Sequence, residues 1–398
     1  MKKFNKPFTQ QESISPQAVA AANTVLESGR IHRYNVMPGE LCEVDKLETE
    51  FAEYMGSPYC LACSSGGYAL HIAMRAAGVK TGDKVLSNAF TLAPVPGAIH
   101  NSGAQPVLVE MDESFCIDLK DLELKAQSSG AKYFMLSHMR GHIADMDEIM
   151  HICERYSLVL IEDCAHTMGA NWAGTKSGSF GHVSCFSTQT YKHINSGEGG
   201  LIISDDAELM AKAIMYSGSY MLFGQHQAAP KPEVFERISL ETPNYSGRMD
   251  NLRAAILRPQ LQELDQQCER WNALYKTVEL VLNTSPKLTV PARSEQEYFV
   301  GSSIQFSLND YSESQTKQVV QQCEARGVTL KWFGDPKPKG YTSRYDSWQY
   351  IDDMPHLSKT ESILSTLMDM RIPLTFDQDD CQMIGEIIVD VVDDCAQI

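Results

Sequence analysis

Short hydrophobic runs recur through the first two-thirds of the chain, each long enough for one strand. The runs that we predict as strands are residues 61–64, 84–88, 105–111, 133–138, 158–163, 183–187 and 201–204. Between them, residues 68–77 and 147–156 carry apolar side chains at helical spacing. Continuous apolar strands that alternate with helices predict an α/β fold with a mostly parallel sheet, covered on both faces. Glycine-rich turns at strand ends are where such sheets bind ligands.

The pattern changes after about residue 246. Residues 249–271 predict one long helix, with Pro259 as a kink. From about residue 288 the segments are shorter, with a polar loop around residues 337–345, which indicates a smaller α+β domain. We therefore predict a large domain over residues 1–248, which includes an N-terminal helical segment. The smaller domain covers residues 249–398 and includes the connecting helix.

Composition narrows the classes of protein that the chain can represent. It has 398 residues, a formal net charge of −17 and eleven cysteines. The negative charge argues against nucleic-acid or anionic-membrane partners, because phosphates would be repelled. No apolar run approaches the roughly eighteen residues of a membrane helix, and residues 1–10 do not resemble a signal peptide. An odd number of scattered cysteines indicates reduced thiols, so we expect a cytoplasmic protein.

The candidate chemistry lies between residues 161 and 205. A strand ends at Asp163, and Lys192 follows downstream, shortly before a Gly-Glu-Gly-Gly turn. This pair suits pyridoxal 5′-phosphate (PLP), because a carboxylate should keep the pyridine nitrogen protonated and a lysine must form the imine. Taken alone, Asp163 would be a strand-end cap and Lys192 a solvated loop lysine. The joint pattern favours the cofactor site.

Three ordered motifs resemble those of the DegT/StrS-type sugar aminotransferase family, which has the aspartate-aminotransferase fold (fold type I). They are Glu-Asp-x-Ala-His at 162–166, Phe-Ser-x-x-x-x-Lys at 186–192 and Gly-Glu-Gly-Gly at 197–200. Residues 65–70 are similar to the family's Ser-Gly-Thr-x-Ala-Leu turn. Arg248 begins a stretch that is similar to the start of its long helix. The resemblance spans residues 44–265 and is thin beyond them.

The resemblance implies a role for each matching residue. Lys192 would form the internal aldimine and carry the proton between the two carbons. Asp163 would pair with the pyridinium nitrogen, and His166 would lie against the ring or its 3-hydroxyl. The phosphate would be bound by Ser187 and by backbone groups at the start of a helix, namely those of Gly66 and Gly67.

The family also places an asparagine of the partner subunit on the phosphate. Counting back from Arg248 gives Ser246 at that position, whereas Asn244 lies two residues earlier, and either could serve. The resemblance therefore implies a homodimer with shared active sites.

Several positions depart from the family pattern. Gly67 replaces a threonine, so one hydroxyl contact to the phosphate is missing. Leu92 takes the place of an aromatic residue that stacks on the cofactor, and Phe90 is the candidate substitute, since alternate residues of an extended segment share a face. Arg140 lies where the family has a small or neutral group, which indicates an unusual, anionic substrate.

Other polar residues are candidates for substrate contact. His32, Arg33 and Tyr34 lie in a region that is near the active site in the family, and a surface loop is an equal alternative. With Arg140 and Arg248 they complete our substrate candidates. Residues 331–334 and 342–345 are rich in aromatic, basic and hydroxyl side chains. Such side chains could line a substrate pocket or could equally stabilise a long loop.

His138 and His142 are four residues apart and precede Asp145, as metal ligands on a helix can be. However, this segment contains glycine and follows a strand, which indicates a turn. We therefore expect no metal site.

We predict a PLP-dependent aminotransferase that moves an amino group from glutamate or glutamine to a keto sugar, free or nucleotide-linked. One alternative is an enzyme of the same fold that acts on a keto-cyclitol or another non-sugar metabolite. The other is a non-catalytic regulator that binds PLP. The family's sugar dehydratases carry histidine at the lysine position, so Lys192 argues against that branch.

Overall fold

The computed structural model describes residues 2–338 and 344–396, so Thr342 and Ser343 of the predicted polar loop lie outside the described residues. The strands are β1 (Tyr59–Cys63), β2 (Lys84–Asn88), β3 (Gln105–Val109), β4 (Tyr133–Ser137), β5 (Val159–Asp163), β6 (Asn171–Trp172), β7 (Thr175–Lys176), β8 (Val183–Ser187), β9 (Gly200–Ser204), β10 (Leu288–Thr289), β11 (Glu297–Tyr298), β12 (Ser303–Leu308), β13 (Lys331–Trp332) and β14 (Leu367–Arg371). The helices are α1 (Pro16–Ser28), α2 (Glu43–Met55), α3 (Gly66–Ala76), α4 (Pro94–Asn101), α5 (Leu119–Ser129), α6 (Met146–Tyr156), α7 (Ala207–Ser217), α8 (Pro232–Ile238), α9 (Asn251–Gln262), α10 (Leu264–Leu282), α11 (Glu313–Ala325), α12 (Ser358–Leu364) and α13 (Gln378–Cys395).

The largest sheet contains all seven strands that the hydrophobic runs predict, each within two residues of its expected bounds. Its order is β1-β9-β8-β5-β4-β2-β3, and the pairs from β8 to β3 are parallel. Strand β9 is antiparallel to both of its neighbours. The segment 188–199 that joins β8 to β9 contains no helix that would return the chain to the other end of the sheet. The predicted α/β fold with a mostly parallel sheet is confirmed, with β9 as the exception.

The topology brings the candidate residues to one edge of this sheet. The carboxyl ends of β4, β5 and β8 are Ser137, Asp163 and Ser187, and parallel strands end on the same side. Helix α3 starts at this edge, where the side chain of its N-cap residue Ser65 accepts the Tyr68 N–H. This is the edge at which open α/β sheets bind ligands.

A second, antiparallel sheet has the order β10-β12-β14-β13. It forms a separate hydrophobic core with α10, α11 and α13. Phe4 and Phe8 also lie in this core, and the rings of Phe4 and Phe376 are 5.0 Å apart. Residues at the start of the chain therefore pack with the smaller α+β part, which the hydrophobic runs do not indicate. The domain boundary at residue 248 stays a prediction.

The predicted long helix is two helices in the structure. Pro259 lies inside α9, and the break comes one turn later at Glu263, between α9 and α10. The Glu263 N–H donates to the Gln260 carbonyl, the tightened bond with which many helices end. Expecting a single helix kinked at Pro259 was therefore wrong. No helix within residues 2–338 and 344–396 is both long enough and apolar enough to span a membrane.

Candidate active site

A cavity of about 450 Å³ opens at the carboxyl edge of the large sheet. Eight of the residues singled out from the sequence line it, and they are Gly66, Gly67, Leu92, Arg140, Asp163, His166, Ser187 and Lys192. The sequence analysis missed five further polar lining residues, which are Ser137, Gln189, Tyr191, Glu198 and Arg371. Ser137 was within reach of sequence reasoning, because it lies one residue before the end of the predicted strand 133–138, which pairs with the strand that ends at Asp163.

Lys192 is partly buried in the loop between β8 and β9. Its Nζ lies 3.0 Å from His166 Nε2. Burial lowers the pKa of Lys192 to about 7; Arg140 and Arg371 lower it further, whereas Asp163 opposes the shift. Burial and the neighbouring Lys192 also hold the pKa of His166 well below its usual value. Near neutral pH the site therefore contains an uncharged imidazole beside an amine that can gain or lose a proton.

Asp163 is buried and held by fixed donors. One carboxylate oxygen accepts the Ser137 hydroxyl at 2.9 Å, and the other accepts the Ala165 N–H at 3.1 Å. Ser137 is fixed in turn, because Asn88 bonds both its N–H and its carbonyl and Thr91 donates to its hydroxyl. The carboxylate is thus oriented before any ligand binds.

The other end of the cavity is formed by the start of α3 and the end of β8. Gly66, the first residue of α3, lies so close to Ser187 that a Cβ at position 66 would come within 2.8 Å of the Ser187 Cβ. The first N–H groups of a helix have no partner within the helix. These donors, together with the Ser187 hydroxyl, form an arrangement that suits an anion.

Gly67 and Leu92, which depart from the family pattern at positions expected near the cofactor, both line the cavity. A Cβ at Gly67 would meet only Pro94, at 3.7 Å, so space does not exclude a side chain there. The proposed substitute, Phe90, is buried in a cluster with Phe333 and does not line the cavity. The chain bends at residues 89–91, so Phe90 and Leu92 do not share the face that an extended segment would give them.

Arg140 reaches the cavity from a short turn after β4. Its backbone is left-handed, with φ at 55°, and its guanidinium forms an ion pair of 2.7 Å with Asp369 of β14. Arg371, two residues further along β14, also lines the cavity. The second sheet therefore contributes directly to the site.

Asn244, Ser246 and Arg248 do not line the cavity. Arg248 donates to the Gly218 carbonyl and to the Ser246 hydroxyl, both at 2.9 Å. The side chains of Asn244 and Ser246 lie on the exposed surface. The structure thus groups these three residues together, outside the cavity of their own chain.

His32, Arg33 and Tyr34 also lie outside the cavity. His32 is exposed, whereas Arg33 is fully buried and paired with Asp45 and Glu48 at 3.0 and 2.8 Å. The Tyr34 hydroxyl lies 2.8 Å from His226. Arg33 therefore belongs to a buried ion network and does not face a ligand in this chain.

His138 and His142, the two histidines considered as metal ligands, contact different partners. His138 Nε2 lies 3.1 Å from a carboxylate oxygen of Glu162, and His142 Nε2 lies 2.8 Å from the amide oxygen of Gln305. Asp145 caps the start of α6. These three residues thus each have a structural contact of their own.

The cavity can be tested for its fit to PLP from its donors and its shape. A cofactor with a phosphate at one end and a pyridine nitrogen at the other needs anion donors opposite a carboxylate. The start of α3 with Ser187 offers the first, Asp163 offers the second, and Lys192 lines the same cavity. The close approach of Gly66 to Ser187 leaves a cradle that a side chain would fill. The residues present therefore fit PLP.

Comparison with known proteins matches most of the chain to one protein family. The model of the DegT/DnrJ/EryC1/StrS aminotransferase family matches residues 12–389. The chain is 35% identical over 222 residues to GDP-perosamine synthase from Caulobacter vibrioides, which covers 56% of this chain and 57% of that protein. It is 30% identical over 292 residues to L-glutamine:2-deoxy-scyllo-inosose aminotransferase from Micromonospora echinospora, covering 72% and 68% respectively.

The matches cover only part of each of these curated relatives, whereas a solved structure is matched over nearly its whole length. The chain spans 57% to 65% of the length of several curated relatives. The X-ray structure of the aminotransferase from Psychrobacter cryohalolentis superposes with a TM-score of 0.84 at 23% identity, over 98% of this chain and 100% of that one. This likeness shows the fold.

Proposed function

The chain belongs to the DegT/DnrJ/EryC1/StrS aminotransferase family, and on that premise we propose that it is a PLP-dependent aminotransferase. It would move an amino group from glutamate or glutamine to a keto sugar, free or nucleotide-linked. The observation that carries the proposal is the single cavity in which Lys192, Asp163 and His166 face the anion-binding start of α3. A keto-cyclitol acceptor is the second candidate, because one relative is named as a scyllo-inosose aminotransferase.

PLP would lie between Asp163 and the start of α3. When bound, it supplies the electron sink that allows a C–H bond next to nitrogen to break. Asp163, held by Ser137 and Ala165, would keep the pyridine nitrogen protonated. Gly66 and Gly67 would offer backbone N–H groups to the phosphate, and Ser187 its hydroxyl.

Lys192 would carry the proton. With its pKa at about 7, its Nζ can take a proton from the donor's α-carbon and return one to the former carbonyl carbon of the acceptor. The neutral His166 imidazole, 3.0 Å away, would orient Nζ. Because a group whose pKa lies near the working pH exchanges protons in both directions, one lysine can serve both halves of the reaction.

An absorbance spectrum tests this function. The purified protein should be yellow, and glutamate or glutamine should bleach the visible band in a single turnover. A matched keto acceptor would then restore it. Bleaching by neither donor, with PLP bound, would support the regulator instead, and failure to bind PLP would overturn the whole proposal.

We also infer that the active sites are completed in a homodimer. Large apolar side chains lie exposed on the segment around Asn244 and Ser246 and before it, and they are Tyr220, Met221, Leu222, Leu240 and Tyr245. A second copy of the chain would cover this surface and bring one of the two polar residues to its partner's phosphate site. Light scattering should therefore give twice the mass of one chain, and a monomer mass would refute the shared site.

We infer that the protein works in a reducing compartment, as the cytoplasm is. All eleven cysteines are free thiols, and ten of them are buried. Burial raises the pKa of those at the sheet, such as Cys60, Cys164 and Cys185, well above the usual value, which keeps them protonated and unreactive.

A further inference from the structure

Three buried polar residues are connected to Asp163 by hydrogen bonds, and they are Asn88, Thr91 and Ser137. Ser137 ends β4 and lines the cavity. Asn88 ends β2, Thr91 follows it in the chain, and neither of them lines the cavity. The group therefore reaches the cofactor site only through Ser137 and the carboxylate that Ser137 contacts.

The backbone of Ser137 is held by the side chain of Asn88. Register pairing between β2 and β4 ends at Ser87 and Met135, two residues before Ser137. Beyond that point the Asn88 amide oxygen accepts the Ser137 N–H at 2.9 Å, and the amide nitrogen donates to the Ser137 carbonyl at 3.1 Å. Ser137 is also the register neighbour of Asp163 in the adjacent parallel strand, so both side chains lie on one face of the sheet. The sheet itself thus places the Ser137 hydroxyl beside the carboxylate.

The two hydroxyl bonds of this group can run in one direction only. An ionised carboxylate has no proton to donate, so the Ser137 hydroxyl must donate to Asp163, which lies 2.9 Å away. Because a serine has a single hydroxyl proton, the 2.8 Å contact between Thr91 and Ser137 requires that Thr91 donate. Hydrogen bonds in such a chain polarise one another. Thr91 therefore strengthens the bond that Ser137 makes to the carboxylate.

The Asp163 carboxylate is held at both of its oxygens. Ser137 donates to one of them, and the Ala165 N–H donates to the other at 3.1 Å. Each oxygen of a carboxylate can accept two hydrogen bonds, so each can still accept one from a ligand. Donors stabilise the negative charge of a carboxylate, so a proton that it shares with a ligand stays on the ligand. A ligand atom that carries its own proton is thereby favoured at this position.

We propose that Ser137 is a positioning residue, through which the site selects a cofactor with a protonated ring nitrogen. This inference rests on the proposed function, because it takes PLP as the cofactor. Ser137 acts through Asp163, which would face the ring nitrogen. Among the described residues, none of the hydrogen bonds of Ser137 goes to Lys192 or to the start of α3. Loss of its hydroxyl should therefore weaken the contact at the ring nitrogen and leave the imine and phosphate contacts unchanged.

The test compares PLP with its carbocyclic analogue, deaza-PLP, in which a C–H group replaces the ring nitrogen. Both compounds keep the aldehyde and the phosphate, so they differ only at the atom that Asp163 would face. Titration of the cofactor-free protein, followed by quenching of tryptophan fluorescence, should show roughly 10- to 100-fold tighter binding of PLP. Ser137→Ala should reduce this preference by roughly 3- to 10-fold. The loss should come from weaker binding of PLP, while the affinity for deaza-PLP stays within about twofold.

Ser184→Ala is the matched control. Ser184 is a buried serine of β8 in the same sheet, and its hydroxyl donates at 3.2 Å to a carboxylate oxygen of Glu162, which does not line the cavity. Its removal costs the fold a similar hydrogen bond without touching Asp163. The preference for PLP over deaza-PLP should therefore remain as in the unmodified protein. A loss as large as that in Ser137→Ala would show a general effect of the sheet and overturn the proposal.

The remaining outcomes separate the role of Ser137 from the proposed function. An unchanged preference in Ser137→Ala, or an equal loss of affinity for both compounds, would overturn the role of Ser137. Should Ser137→Ala fail to fold, Ser137→Cys takes its place, because a thiol is a weak donor of similar size. The same loss of preference is expected there, and an unchanged preference again overturns the proposal. An unmodified protein that binds neither compound would instead refute the proposed function.

Discussion

Replacing Lys192 with alanine should slow both half-reactions by about 10⁴-fold, because the amine that takes up and returns the proton at the reacting carbon is removed. The same variant should no longer retain PLP after treatment with borohydride, since the amine that holds the cofactor is gone. Single-turnover absorbance measures the first effect, and mass spectrometry of the borohydride-treated protein measures the second.

Two further variants make this result specific. Lys192→Arg keeps the positive charge and the length of the side chain, yet it should be as inactive as the alanine variant, because a guanidinium stays protonated. Lys212→Ala, at a lysine on the surface of α7, should behave as the unmodified protein does. If Lys192→Ala retains activity within tenfold, or borohydride still fixes the cofactor, then Lys192 is not the reacting lysine.

The rate at which the cofactor-free protein takes up PLP should rise about tenfold from pH 5 to 6, about fivefold from pH 6 to 7, and level off above pH 7. Only the neutral amine is nucleophilic, and the pKa of Lys192 is lowered to about 7, so the neutral fraction grows up to that pH. An unperturbed lysine would give a midpoint near 10.4. The rate of appearance of the visible band, in buffers of constant ionic strength, measures this profile.

A substitution at Asp163 tests whether the pKa of Lys192 responds to nearby charge in the expected direction. Its charge raises the pKa of Lys192, so Asp163→Asn should move the midpoint to lower pH. The asparagine keeps the size of the side chain and can still accept the Ser137 hydroxyl. A midpoint near pH 10 in the original protein, or a shift to higher pH in the variant, would contradict this account of the site.

The elements of the large sheet could be predicted because their signals are local. Each strand is a short apolar run, and the chemistry lies where such runs end, so Asp163 and Ser187 were placed from sequence alone. Parallel strands end on the same side of a sheet, which is why these residues meet in one cavity. The pair of Asp163 and Lys192 indicated the cofactor, and the resemblance added the expected roles of His166 and Gly66.

The parts that were not predicted depend on contacts between distant segments. Arg371 gives no local signal, because only the packing of the second sheet against the turn at Arg140 brings it to the cavity. Arg33 was a substrate candidate because its segment is near the active site in the resembling family, yet its burial with Glu48 follows from the folding of α2. We predicted that Phe90 stacks on the cofactor, because alternate residues of an extended segment share a face. The backbone bends at residues 89–91, so Phe90 and Leu92 do not share one.

The packing of Phe4 and Phe8 has a consequence for synthesis of the chain on the ribosome. Their partners in the second core include Ile304 and Ile388, so at least about three hundred residues must be added after Phe8 before this core can close. At roughly 5–20 residues per second, the two aromatic rings wait for between about 15 and 60 seconds. During that time they are exposed to chaperones and to other nascent chains, while the large sheet can already fold behind them.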